Sequence, residues 1–196
     1  MCGRYQFTAE QSAEILQIIQ EVQKKFGTKA ASAIRRGEIG PGCKMPVFIP
    51  SAGGQSTELY IWGFRTGKQP VINARAETIR EKPMFREDIA ARRCVIPATG
   101  FYETDGDGRK VLFTMPESGI LYMAGIYEVR GGLPCFCIIT TEPNDSVRMF
   151  HDRMPIVLTE EQLDPWMTDA EATEYYLSMT PPLLKAERQD AQIGLW

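Results

Sequence analysis

The chain has 196 residues, of which 43% are hydrophobic and 24% charged, a composition typical of a globular domain with its own core. No apolar run approaches the roughly 18–20 residues of a membrane span, and the N-terminal segment has no basic-then-apolar leader, so we expect a cytoplasmic protein without a membrane partner. The net charge of -3 opposes general affinity for nucleic acid, yet residues 1–100 hold 15 basic and 9 acidic side chains and residues 101–196 hold 7 and 16, which permits a local basic surface.

The first predicted helix covers residues 9–25. Thr8 and Gln11 form a capping-box pattern at its start, and Gly27 is a plausible stop. Its buried face is expected from apolar side chains at helical spacing, namely Ile15, Ile18, Ile19 and Val22.

The residue pattern of most of the remaining chain predicts short strands with few helices between them. We expect strands over 58–64, 94–103, 111–115, 120–129, 134–141 and 154–158, and helices over 82–93 and 170–178, with another started by Thr159 and Gln162. The segment Asp105-Gly106-Asp107-Gly108 predicts a hairpin turn, and the chain beyond 181–182 is expected to be peripheral. Since strands and helices do not alternate, the pattern favours an α+β fold, with residues 1–196 as a single domain.

The five cysteines predict neither disulfides nor a metal site. Their odd number argues against a disulfide framework, and one histidine without a CxxC pair cannot supply a structural zinc site. Cys135 and Cys137 alternate within an apolar run, as core residues of a strand do. We therefore expect no cofactor.

Cys2 is the strongest candidate for chemistry. Removal of Met1 would leave a cysteine with a free α-amine and a thiol, whose ordinary pKa values are about 7.7–8.0 and 8.5, so both groups are usable nucleophiles near neutral pH. A 1,2-aminothiol condenses with an aldehyde to an imine and then closes a thiazolidine ring. Retention of Met1 would block this reaction, and self-removal of Met1 by Cys2 is an alternative use of the thiol.

Four segments in order, MCGRY at 1–5, NARAET at 73–78, RCVIPATGFYE at 93–103 and HDRMPIVL at 151–158, resemble the SRAP family, whose members were once called SOS-response-associated peptidases. The resemblance implies a barrel-like core of mixed, mainly antiparallel sheets with flanking helices. It also implies an abasic-site shield that acts on DNA at the nucleoid and crosslinks to single-stranded DNA through Cys2. A thiol peptidase and a non-covalent single-stranded DNA-binding module are the alternatives, and we expect a monomer.

The matched motifs also imply roles for individual side chains. Asn73 would hold the Cys2 amine and sugar oxygens, and Glu103 would shuttle protons during imine formation. His151, the only histidine, fits a general acid for ring opening or loss of water. Phosphate contacts are expected from three arginines: Arg4, Arg75 and Arg153. Glu77 is expected to pair with Arg75, and Asp152 to orient a neighbour.

The sequence departs from the family where aromatic side chains are usual. Thr104 follows Glu103 in place of the usual tryptophan, and the segment after Trp62-Gly63-Phe64 is shorter than usual. Bases would stack on such aromatics, at roughly 1–3 kcal/mol each. We therefore expect weaker DNA binding unless Phe64, Met84 or Phe85 substitutes.

Overall fold

The computed structural model describes residues 2–65, 67, 69–117, 119–130 and 132–189. Its strands form two sheets. In chain order they are β1 Arg4–Phe7, β2 Gly37–Ile39, β3 Lys44–Ser51, β4 Gly54–Trp62, β5 Asn73–Arg75, β6 Arg93–Ala98, β7 Gly100–Thr104, β8 Lys110–Thr114, β9 Leu121–Arg130, β10 Leu133–Thr141, β11 Met154–Pro155, β12 Val157–Leu158 and β13 Lys185–Arg188.

Five strands close into a mixed barrel. β10 pairs with β4, β4 with β3, β3 with β6, β6 with β9, and β9 returns to β10, so the ring has no free edge. The β10–β4 pairing is parallel and the other four are antiparallel. β5 adds to β10 in parallel, with Asn73 beside Ile138, at a position where no strand was predicted from the sequence.

The second sheet has five strands in the order β13-β8-β7-β1-β2. The chain enters it directly from the barrel, because only Thr99 separates β6 from β7. β7 and β8 form the hairpin predicted around residues 105–108, with Glu103 opposite Val111. The segment after 181–182 includes β13, which pairs with β8 over four residues at the edge of this sheet. The segment therefore lies at the periphery, as predicted, with mostly exposed side chains on β13, and it forms a strand because β8 offers an open edge.

Six helices lie among the described residues, outside the strands: α1 Ala13–Phe26, α2 Thr28–Ser32, α3 Pro83–Ala91, α4 Asp145–Arg148, α5 Leu163–Thr168 and α6 Thr173–Ser178. None of the helices in the described part of the chain is long and apolar enough to cross a membrane. The architecture confirms the expected α+β class and the barrel-like core with flanking helices.

The start of α1 differs from the prediction. Ser12, rather than Thr8, caps it by accepting a hydrogen bond from the Ile15 amide at 3.3 Å. Gly27 ends the helix as expected, with a φ of 86° that favours glycine. A short 3-10 turn over Ala9–Gln11 precedes Ser12, and this turn accounts for the displaced start.

A buried arginine ties two helix ends to the barrel. Arg93, at the start of β6, is 3% exposed. Its guanidinium donates to the Ile89 and Ala90 carbonyls of α3 at 2.9 Å, and to the Trp166 and Met167 carbonyls of α5 at 2.6 and 3.3 Å. The cation therefore satisfies carbonyls that helix C-termini leave unpaired.

Candidate active site

The segments with the predicted chemistry meet where the barrel and the second sheet join. Cys2 leads into β1 and Glu103 lies on the adjacent strand β7. Asn73 begins β5 at the side of β10, and His151 lies between α4 and β11, the short strand that pairs with the end of β10. The fold thus brings together four residues that are far apart in the sequence.

Cys2 is fully buried and held from two sides. Its carbonyl accepts a hydrogen bond from Asn73 Nδ2 at 2.8 Å, and its thiol donates to the Arg4 carbonyl at 3.7 Å. Burial, followed by the negative charge of Glu103, raises the pKa of the Cys2 thiol well above its ordinary value. In this arrangement the thiol is protonated at neutral pH.

Asn73 presents both ends of its amide to the site. Nδ2 is used by the Cys2 carbonyl, whereas Oδ1 is buried and has no hydrogen-bond partner within the described residues. A buried amide oxygen without a donor is costly, by about 1–3 kcal/mol. Asn73 Oδ1 is therefore a ready acceptor for an N–H or O–H group placed beside Cys2.

Glu103 is the buried carboxyl group of the site. Its side chain is 5% exposed, and burial, together with the negative charge of Asp152, raises its pKa to about 7. A carboxyl group that titrates near neutral pH can both accept and return a proton under working conditions.

His151 lies against Glu103. Its Nε2 is 3.4 Å from Glu103 Oε2, and its Nδ1 is 3.0 Å from both the amide nitrogen and the carbonyl oxygen of Arg153. When Nδ1 accepts from the Arg153 amide, the proton of the neutral ring is on Nε2, which faces Glu103. Asp152 Oδ1 lies 3.3 Å from Nδ1, so two carboxyl groups flank the imidazole.

Arg153 is engaged by the protein itself. It donates to Glu77 at 2.7 and 2.9 Å through both terminal nitrogens, and to the Thr140 carbonyl at 2.7 Å. Glu77 therefore pairs with Arg153, and the expected partner Arg75 was wrong. The hydrogen bonds from Arg153 lower the pKa of Glu77, with a smaller effect from the charge of Arg75. The sequence could not show which of the two arginines pairs with Glu77, because their positions depend on how β5 and β11 pair with β10.

The other predicted phosphate contacts are exposed. Arg75 projects to the surface at the end of β5, and Arg4 is 62% exposed and paired with Glu38. Glu38 also contacts Lys110. Neither Glu38 nor Lys110 was singled out from the sequence, because single charges on predicted strands give no signal until pairing places them together.

The aromatic side chains suggested as replacements for the missing tryptophan belong mainly to the core. Phe64 is 0% and Phe85 is 3% exposed, and their rings pack together at 6.1 Å. Trp62 is also fully buried and stacks on Phe136. Phe64 and Phe85 were therefore wrong as base-stacking candidates, and Met84 is only half-buried.

Comparisons with known proteins agree with the motifs. The chain is 40% identical over 116 residues to the abasic site processing protein YoaM of Bacillus subtilis, a match that covers 55% of this chain and 51% of YoaM, so the chain spans about half the length of such relatives. It is 26% identical over 177 residues to the abasic site processing protein YedK of Escherichia coli, covering 85% of this chain and 79% of YedK.

Two further comparisons concern the fold and the family. A crystal structure of a Bacteroides thetaiotaomicron protein superposes with a TM-score of 0.75 at 24% identity, over 95% of this chain and 91% of that one. The family model for SOS response associated peptidase (SRAP) matches residues 1–192. With nearly the whole chain matched by that model, this protein belongs to the SRAP family.

Proposed function

We propose that this protein captures abasic sites in single-stranded DNA by forming a covalent thiazolidine with Cys2 after Met1 is removed. The observation that carries the proposal is the meeting of Cys2, Asn73, Glu103 and His151 at one junction of the fold. The abasic site processing relatives YoaM and YedK support the choice of substrate.

The reaction needs no oxidant or cofactor. The Cys2 amine adds to the aldehyde carbon of the ring-opened deoxyribose, and the carbonyl oxygen leaves as water from the carbinolamine. The Cys2 sulfur then bonds to the same carbon of the resulting iminium, and the thiol gives up its proton. One C=O double bond is replaced by one C–N and one C–S bond, with release of one water molecule.

Each neighbouring group has a step that suits its environment. Asn73 Oδ1 accepts from the free α-amine or from a sugar hydroxyl, because it is buried and otherwise unsatisfied. Glu103, with a pKa of about 7, takes the thiol proton. His151 Nε2 donates a proton to the ring oxygen during opening, or to the departing hydroxyl.

Phosphate contacts are assigned to Arg4, Arg75 and Arg153. Arg75 requires no rearrangement, because its side chain is exposed. Arg153 is 13% exposed and is bound to Glu77, so it reaches a phosphate only if that pair opens. Thr104 is exposed where the family usually has tryptophan, so a base-stacking contribution is missing at that position.

The test is the intact mass of the protein before and after incubation with single-stranded DNA that contains one abasic site. The mature protein should gain the mass of the oligonucleotide minus one water. A tetrahydrofuran analogue of the abasic site has no aldehyde and should give no adduct. Cys2→Ala should give no thiazolidine, and Cys2→Ser should give only an imine that borohydride traps. Absence of an adduct with the mature wild-type protein would refute the proposal.

The same measurements separate the alternatives. Loss of Met1 that depends on Cys2 in cells lacking aminopeptidase would show self-processing, and cleavage of an added peptide would support a thiol peptidase. Equal protection of DNA by Cys2→Ala would support a non-covalent binding module.

A further inference from the structure

A carboxylate links two cations on the outer face of the second sheet. Glu38 on β2 contacts Arg4 on β1 through Oε1 and Lys110 on β8 through Oε2. The register places these side chains on one face, since Arg4 pairs with Tyr102 and Thr104 pairs with Lys110. Two positive charges from different strands therefore lie within the span of one carboxylate.

Neighbouring side chains fix the position of Lys110. Its ammonium lies 4.6 Å from the centroid of the Tyr102 ring. The Tyr102 hydroxyl accepts a hydrogen bond from Gln6 Nε2 at 3.2 Å. These contacts place the Lys110 ammonium over the Tyr102 ring, on the same surface as Arg4.

The two cations line a groove that leads to the candidate active site. Its volume is about 350 Å³, and its lining includes Gly3, Arg4, Tyr102, Glu103, Thr104 and Lys110. Gly3 is adjacent to Cys2 in the chain, and Glu103 is the buried carboxyl group of the site. A strand whose sugar reaches Cys2 would carry its flanking phosphate past this groove.

We propose that Arg4 and Lys110 form a subsite for one backbone phosphodiester of a single nucleic-acid strand, and that Glu38 occupies this subsite when no strand is bound. The inference rests on the proposed function for its ligand. It adds Lys110 to the binding residues and makes Glu38 an internal competitor, so an acidic side chain tunes the affinity for DNA.

The exposure of the cluster makes exchange feasible. The side chains of Arg4, Lys110 and Glu38 are 62%, 39% and 30% exposed. Ion pairs this exposed contribute little net stability, so a phosphate can replace the carboxylate without uncovering a buried charge. The two nonbridging oxygens of a phosphodiester can bridge the cations as the two oxygens of Glu38 do.

The test is the binding of an undamaged oligothymidine strand, followed by fluorescence anisotropy at several salt concentrations. Lys110→Gln should weaken binding and reduce the slope of log affinity against log salt by about 0.7, the value for one single-strand phosphate contact. Glu38→Gln should strengthen binding up to about fivefold at fixed salt.

Glu58→Gln is the matched control for Glu38→Gln. Glu58 is 24% exposed and paired with Lys25, and it does not line the groove, so the substitution changes the net charge equally. If Glu38→Gln and Glu58→Gln increased the affinity for the oligothymidine strand equally, the effect would come from the net charge of the protein alone, and the proposed subsite would be overturned. A Glu38→Gln protein that binds no better, or an unchanged slope in Lys110→Gln, would overturn it as well.

Folding and chemistry are controlled separately. Thermal melting checks each variant, and Lys110→Arg should retain the wild-type slope. If Lys110→Gln does not fold, the comparison of Glu38→Gln with Glu58→Gln still tests whether Glu38 competes with the DNA strand for the subsite. No binding of oligothymidine by the wild-type protein would also refute the subsite. Because undamaged DNA has no aldehyde, failure of adduct formation at Cys2 does not affect this result.

Discussion

Replacement of Glu103 by glutamine is expected to stabilise the protein above neutral pH while abolishing the proposed reaction. Burial raises the pKa of Glu103 from its ordinary value of 4.5 to about 7. The folded state therefore holds this proton more tightly than the unfolded state does. The stability that the protonated form provides is complete below about pH 4.5 and is lost as the pH rises to about 7.

The magnitude follows from the size of the shift. The folded and ordinary pKa values differ by about 2.5, which at roughly 1.4 kcal/mol for each whole pKa step corresponds to a total loss of about 3–4 kcal/mol once the pH is well above 7, of which about 2–3 kcal/mol falls between pH 5 and pH 8. Glutamine has nearly the same shape and does not ionise, so Glu103→Gln should avoid this loss. A site that keeps a destabilising carboxyl group for its chemistry is a common form of stability–activity trade-off.

Urea unfolding of both proteins at pH 5 and pH 8 measures the effect. The free energy of unfolding of Glu103→Gln relative to the wild type should increase by about 2–3 kcal/mol from pH 5 to pH 8. Ionisable groups away from the site affect both proteins alike, so the difference reports on Glu103 and on the few groups that its charge reaches, such as the Cys2 thiol. Parallel pH profiles for the two proteins would refute a raised pKa for Glu103. Adduct formation, measured on the same samples, should be lost in the variant at both pH values.

Three further substitutions test the site and the frame that supports it. Asn73→Ala removes the hydrogen bond to the Cys2 carbonyl and should slow adduct formation in single-turnover assays about fivefold to tenfold, as expected for about 1–1.5 kcal/mol. Arg93→Met leaves buried helix-end carbonyls without donors and should lower the free energy of unfolding in urea by about 2–4 kcal/mol. In Gly125→Ala the new Cβ would lie 2.9 Å from the Cys137 carbonyl oxygen, so the melting temperature should fall, with a cost of about 1–3 kcal/mol.

Each stability prediction has a matched control. Arg148→Met removes an arginine that is 66% exposed, and Gly53→Ala adds a methyl group with no atom within 4 Å. Both should change stability by less than about 0.5 kcal/mol. Arg93→Met behaving like Arg148→Met would contradict the role assigned to the helix-end hydrogen bonds. For Asn73→Ala, an unchanged rate of adduct formation would show that the amide does not align Cys2.

Features that depend on neighbours in the chain were predictable from the sequence. The apolar spacing of α1, its end at Gly27 and the hairpin before β8 follow from contacts between residues a few positions apart. The capping box of Thr159 and Gln162 is also present, and it starts the turn that leads into α5. The ordered motifs similarly identified the residues that approach Cys2.

Tertiary structure decided which distant segments became neighbours. The parallel pairing of β10 with β4 closes the barrel, and β5 adds to β10 in parallel, so each pairing joins segments far apart in the sequence. β13 adds to the edge of the second sheet that β8 leaves open. Because of that packing, Glu77 forms its salt bridge with Arg153 rather than with Arg75. The same packing places Glu38 between Arg4 and Lys110.

Burial likewise required the assembled fold. The sequence predicted Cys2 and Glu103 as reactive groups, but the pKa values of both depend on how much water the surrounding strands exclude. The sequence alone therefore indicated the candidate reacting residues and predicted most local elements. The protonation states and charge partners were set only when distant strands closed around them.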